Sequence, residues 1–151
     1  MRLIRRLPVL SLLVVALALA ACSDDGSEPP GPIIDPLVGA TADQVIALEL
    51  RDVSFSEDEL TVASGAVVAF DLINVGRLEH DFSITEIAAD VSAIGQQQRD
   101  KLDVYAPLDG ESETRLLIRP QEPGEYEFYC SVAGHRRSGM LGKLTVVAPN
   151  P

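Results

Sequence analysis

The chain has no tryptophan, two histidines, two cysteines and two methionines, and 12 basic residues against 23 acidic ones in 151. Each shortage excludes something. A formal charge of −11 leaves no basic footprint for a nucleic-acid backbone. His80 and His135 suffice for one imidazole site and leave nothing for a second. With only Met1 and Met140, the chain is not a methionine-rich metal store. Cys22 and Cys130 stand far apart, so no Cys-x-x-Cys pair or zinc-type spacing exists. No glycine-rich nucleotide motif and no repeat of fixed period occurs, and no small-molecule substrate site is evident. The apolar run Val9–Ala18 is too short to span a bilayer comfortably.

That run belongs to an N-terminal segment of a different kind. Arg2, Arg5 and Arg6 precede it, which is the order of an export signal over residues 1–21. Leu19-Ala20-Ala21-Cys22 resembles the lipobox of bacterial lipoproteins, and the resemblance implies that Cys22 is lipidated and becomes the mature N-terminus. The alternative is an ordinary secretory signal. Two cysteines in an exported protein would ordinarily suggest a disulfide. A lipid on Cys22 would leave Cys130 without a partner, and a lone exported thiol escapes oxidation when buried or metal-bound. Residues 22–41 are rich in proline, glycine and acid and read as a flexible tether, about 25 Å in root-mean-square reach. The expected placement is extracytoplasmic, anchored to a membrane through the lipid. Without the signal, nine basic residues face 23 acidic ones, a net charge of −14.

Residues 42–151 read as one all-β domain. Short β-rich runs fall at 45–51, 55 with 60–63, 67–74, 80–87, 116–119, 126–130 and 143–147, broken by turn signals such as SEDE and SG. Seven or eight strands at this spacing predict a Greek-key β-sandwich. Around AADVSAIGQQQRDKLDVY, alanine and glutamine suggest a short helix within 88–110.

The most informative stretch is GEYEFYCSVAGHRRSGMLGKLTVV, Gly124–Val147. Tyr126, Phe128 and Cys130 alternate with Glu125, Glu127 and Tyr129, which aims Cys130 toward a core at a strand's end. A loop with Gly134 and Gly139 follows, carrying His135 and Met140, before a strand resumes. A thiolate, an imidazole and a thioether from one loop suit copper among the common metals. Each residue alone has a plain reading, as core sulfur or satisfied histidine. Their coincidence with a second histidine, His80, at the head of HDFSITEI favours a site.

His80, Cys130, His135 and Met140 together resemble the type 1 blue copper proteins, the cupredoxins, in particular members with a C-x4-H-x4-M loop such as the rusticyanin and auracyanin kinds. The resemblance covers residues 44–148 and extends to Asn74, Pro123-Gly124 and Gly134. It implies one copper held by His80, Cys130 and His135 in a near-trigonal plane, with Met140 as a long axial ligand. It also implies single-electron exchange with redox partner proteins rather than enzymatic turnover. Copper handling without electron transfer is the competing expectation. His135 would lie nearest solvent, ringed by Val132, Ala133, Met140 and Leu141 as a docking patch. Arg136 and Arg137 would form a basic spot that steers an acidic partner. One position departs from the family: the residue after the first histidine is often Asn and here is Asp81. A carboxylate there can accept backbone N–H bonds and tends to lower the reduction potential.

Overall fold

Alternating apolar and polar residues give a strand one face to bury, and two such sheets bury their faces against each other. The computed structural model describes residues 34–96 and 103–149, and among them ten strands form two five-stranded sheets. In chain order these are β1 (Gln44–Arg51), β2 (Ser54–Phe55), β3 (Glu59–Ala63), β4 (Val68–Asn74), β5 (His80–Ile84), β6 (Ala89–Val91), β7 (Val104–Leu108), β8 (Glu113–Pro120), β9 (Gly124–Tyr129) and β10 (Leu141–Val147). One sheet runs β2-β1-β4-β8-β6 and the other β3-β10-β9-β5-β7. Two pairings, β1 with β4 and β3 with β10, are parallel, and the rest are antiparallel.

The facing sides meet in one core. Leu48, Leu50, Phe70, Leu72, Leu116 and Ile118 come from the first sheet, and Val62, Phe82, Ile84, Phe128 and Leu144 from the second. Phe55, Phe70, Phe82 and Phe128 pack as a ring cluster, with centroid separations from 5.1 to 6.2 Å. Burying each such side chain is worth about 1.5–3 kcal/mol, and this holds the two sheets together. Within the second sheet, neighbouring strands crowd at Gly142 of β10, where a Cβ would lie 2.3 Å from the Phe128 ring of β9 and 2.6 Å from the Asp58 carbonyl just ahead of β3.

The all-β sandwich is as expected, with more strands than the seven or eight anticipated. The additions are short or hidden: β2 and β6 have two and three residues. The helix expected within 88–110 is not what the described part contains. Ala89–Val91 pairs with β8, Ala93–Gly95 is a single 3-10 turn, and Val104–Leu108 pairs with β5. Helical propensity there yields to β pairing with neighbours distant in sequence; residues 97–102 lie outside the described residues. The signal segment and Cys22 also lie outside them. The domain itself takes in residues ahead of position 42. Leu37 is buried, Asp35 accepts hydrogen bonds from the Leu37 and Ala93 backbone N–H groups (2.8 and 3.2 Å), and Gln96 donates to the Ile34 carbonyl.

Register sets where the site lies. Strand β5 runs antiparallel to β9 with Ser83 opposite Tyr129, so His80 at the start of β5 and Cys130 just past β9 share one end of the sheet. Leu141 sits opposite Tyr129, so the segment between β9 and β10 returns on itself at that same end.

Candidate metal centre

The segment 130–140 is stapled by its own backbone. The Cys130 N–H donates to the Met140 carbonyl (3.1 Å), Met140 N–H to His135 O (3.0 Å), and His135 N–H to Val132 O (3.0 Å). A 3-10 turn at Arg136–Ser138 tightens the middle. Gly134 and Gly139 take φ of +91° and +101°, left-handed conformations that a side chain would strain. These bonds place Cys130, His135 and Met140 side by side along the loop.

Neighbouring loops place His80. Asn74, almost fully buried, donates its amide to the carbonyls of Leu78 (2.8 Å), Asp109 (2.9 Å) and Leu108 (3.3 Å) and accepts from the Gly76 N–H (3.1 Å). One side chain thereby ties the 75–79 connection that delivers His80 to the turn between β7 and β8.

The outcome is a tight group. Cys130 Sγ lies 3.8 Å from His80 Nδ1 and 3.5 Å from His135 Nδ1, and one donor atom from each residue lies within 4.8 Å of the others. The two imidazole centres are 5.0 Å apart. Cys130, His80 and Met140 are buried, and His135 is only half so.

Electrostatics prepare these groups unevenly. Burial, then the neighbouring His135, lowers the His80 pKa below the usual histidine value, against weaker pulls from Asp52 and Asp81. His80 is therefore a neutral donor at neutral pH. Burial pushes the Cys130 thiol up to about 11, partly offset by hydrogen bonds that the backbone N–H groups of Asp81 and Val132 give the sulfur, while the Asp81 charge pushes the same way as burial. An unmetallated Cys130 keeps its proton, and a bound metal is what would remove it.

Asp81 sits behind the sulfur. It is about 1% exposed and accepts from Ser83 Oγ (2.6 Å), the Ser131 backbone N–H (2.8 Å) and Ser131 Oγ (2.9 Å), with Cys130 Sγ at 3.9 Å. Position 81 stood out in the sequence; its serine partners did not, because Ser83 and Ser131 carry no spacing signal.

Two expectations about the rim change. Met140 is fully buried in the core and cannot belong to an exposed patch. Arg136 is not a free charge: it pairs with Glu127, and its guanidinium lies 4.3 Å from the centre of the Tyr129 ring. Arg137 is exposed and makes no ion pair among the described residues. Arg136 thus clamps the loop to β9.

The donors suit a metal. Separations of 3.5 and 3.8 Å between sulfur and nitrogen are those of atoms sharing one ion at ordinary bond lengths of about 2.0–2.3 Å. His80 Nε2 is buried with no partner among the described residues, as though this imidazole is held for what its other nitrogen does. Two imidazoles, a thiolate and a thioether form the soft set that copper prefers.

A family model for the cupredoxin-like domain matches residues 9–146. The chain belongs to the cupredoxin-like family. Copper is the cofactor of this cupredoxin-like protein, and the donor set fits it. The copper-resistant cuproprotein CopI of Vibrio cholerae is 27% identical over 128 residues, covering 79% of this chain and 75% of that one. CopI of Rubrivivax gelatinosus is 30% identical over 118 residues, covering 71% and 68%. Among solved structures, auracyanin B superposes with a TM-score of 0.58 at 23% identity, over 71% of this chain and 91% of that one, a likeness of fold.

Proposed function

We propose that this cupredoxin-like chain is an electron carrier, with His80 Nδ1, His135 Nδ1 and Cys130 Sγ holding one copper and Met140 as the fourth ligand. The observation that carries this reading is the convergence of those three donor atoms within 4.8 Å at one end of a rigid sandwich. The bound copper supplies the one-electron change between Cu(I) and Cu(II), and sulfur with imidazole suits both states. The protein's part is to keep the donors still. Strand β5 and Asn74 hold His80, and the stapled loop holds the other three, so little reorganises when charge changes. Half-buried His135 is the natural exit toward a partner. Exposed Ala133 and Leu141, with half-buried Val132, offer an apolar docking rim, and Arg137 a single positive charge beside it.

The partners are redox proteins outside the cytoplasmic membrane, reached from a tether anchored by lipid on Cys22. The chain is not an enzyme in this reading. Both of its histidines serve one site, and a second copper would lack imidazole ligands.

The relatives named copper-resistant cuproproteins favour a second reading, copper handling. One experiment separates the two. The copper-loaded full chain is cycled between a mild reductant and an oxidant in the presence of a strong Cu(I) chelator. An electron carrier keeps its copper through many cycles. Surrender of copper on the first reduction would overturn the carrier reading in favour of copper handling.

A further inference from the structure

The described surface exposes seven large apolar side chains, more than a docking rim at the metal end accounts for. Val75, Leu78 and Leu141 lie at that end. Ile34, Val38 and Val45, at 75%, 82% and 56% exposure, lie away from it, and the electron-carrier reading does not use them.

Register places them on one face. Val45 of β1 pairs with Ala69 of β4, and Ala69 with Leu117 of β8. Their strand neighbours Ile46, Phe70, Leu116 and Ile118 turn into the core, so this apolar row stands on the outer face of the first sheet. Residues 34–43 cross that face as a strap. The Asp35 carboxylate accepts from the Ala93 N–H just past β6 (3.2 Å). Asp43 exchanges two hydrogen bonds with the Val67 backbone just ahead of β4 (2.8 and 2.9 Å), and β8 lies between β6 and β4. Leu37 of the strap and Ala69 are fully buried without joining the core between the sheets. The strap therefore closes over the row and leaves Ile34 and Val38 pointing outward. The charges bordering the row cancel: Arg115 pairs with Asp71, and Arg119 with Asp90.

Resting on the reading that Cys22 carries the lipid anchor, we infer that this strap face is the side of the domain that lies on the lipid surface, with Ile34, Val38 and Val45 in the headgroup boundary. Chain length argues for that occupant. Only residues 23–33 separate Cys22 from Ile34, a tether of about 20 Å root-mean-square reach, shorter than the roughly 35 Å width of a domain this size. The strap side is therefore the one that the anchor keeps nearest the membrane. Apolar side chains among cancelled charges suit that boundary, while the acidic excess of the rest of the chain is repelled by anionic headgroups. Val45 stands at the end of β1 remote from Leu50, which pairs with Asn74 beside the metal end. A domain lying on this face thus keeps its metal end open to a partner in the aqueous phase.

The test uses the full lipidated chain in vesicles of phosphatidylcholine and phosphatidylglycerol. A bimane fluorophore is placed on Val38→Cys or, for comparison, on Glu125→Cys at the outer face of the second sheet; buried Cys130 stays unlabelled. A nitroxide lipid quenches the Val38 label at least about threefold more than the Glu125 label, and aqueous iodide gives the reverse order. Ile34→Ser with Val45→Ser withdraws apolar contact and narrows that difference. Equal lipid quenching at both positions, with Ile34 and Val45 intact, would overturn the inference, since the domain then turns freely on its tether. A Val38 label shielded from iodide and untouched by the nitroxide lipid would overturn it in favour of a protein occupant, a second copy included. A chain that fails to sediment with the vesicles would overturn the lipid-anchor reading itself, and this inference with it.

Discussion

Replacing Asn74 by alanine removes a side chain that no ligand touches, yet the site depends on it. Its amide group has two protons for three carbonyls, at 2.8, 2.9 and 3.3 Å, and its oxygen accepts from Gly76 at 3.1 Å. Allowing for one shared proton, the loss is about three hydrogen bonds at roughly 1 kcal/mol each. Partial filling of the gap by water brings the expected destabilisation to about 2–4 kcal/mol. At roughly 4 °C per kcal/mol for a domain of this size, the melting temperature of the metal-free protein falls by about 8–16 °C. Asn74→Asp is the sharper test. Its carboxylate presents acceptors to three carbonyl oxygens, so it destabilises at least as much as alanine does. Both variants also loosen the 75–79 connection ahead of His80, and copper affinity falls about tenfold. Chemical denaturation of the metal-free protein with a parallel copper titration gives both numbers. A stability change under about 0.5 kcal/mol for Asn74→Ala, or an Asn74→Asp protein more stable than Asn74→Ala, would refute the reasoning.

Other perturbations have equally definite outcomes. Gly142→Ala would drive a methyl group to 2.3 Å from Phe128 and 2.6 Å from the Asp58 carbonyl, and overpacking there lowers stability by about 1–3 kcal/mol in thermal melts. Cys130 is held protonated in the metal-free protein, with its pKa pushed from 9.0 to about 11 by burial, so copper uptake near neutral pH releases about one proton, and affinity rises about tenfold per pH unit while that thiol titrates; calorimetry in buffers of different ionisation enthalpy reads the proton count. Because that pKa is raised on folding, its stabilisation is complete below 9.0 and is lost as pH climbs through about 11, which alkaline denaturation of the metal-free protein tracks. Lowered His80 works in the opposite sense: the stability it confers is complete above its ordinary value of 6.5 and is lost as pH falls through the lower folded value, so acid weakens the metal-free fold.

Much of the sandwich was legible because β strands write their burial into a period of two. Tyr126, Phe128 and Cys130 show it, although Tyr129 on the opposite face is buried too, under the Arg136 guanidinium. A contact across the loop of that kind leaves no trace in local periodicity. The strands β6 and β7 were hidden for a related reason. Ala89–Val91 and Val104–Leu108 owe their conformation to pairing with β8 and β5, not to their own sequence. At the site, four residues of distinctive chemistry could be picked out by type and spacing. What could not be read was the support around them. Ser83, Ser131, Leu78 and Asp109 are ordinary residues whose roles arise only when distant backbone segments meet. Asn74 and Asp81 stood between these cases, noticeable by position but without known partners. Met140 shows the remaining limit: a thioether reads equally as docking surface or interior, and only the packing places it inside.

The central claim is that Cys130 sulfur binds copper together with both histidines. The most direct measurement is the visible spectrum of the full chain loaded with Cu(II), beside the Cys130→Ser variant. The account predicts an intense blue band from thiolate-to-copper charge transfer that vanishes on reduction and is missing from the variant. A colourless protein, or copper held with no thiolate band, would contradict it.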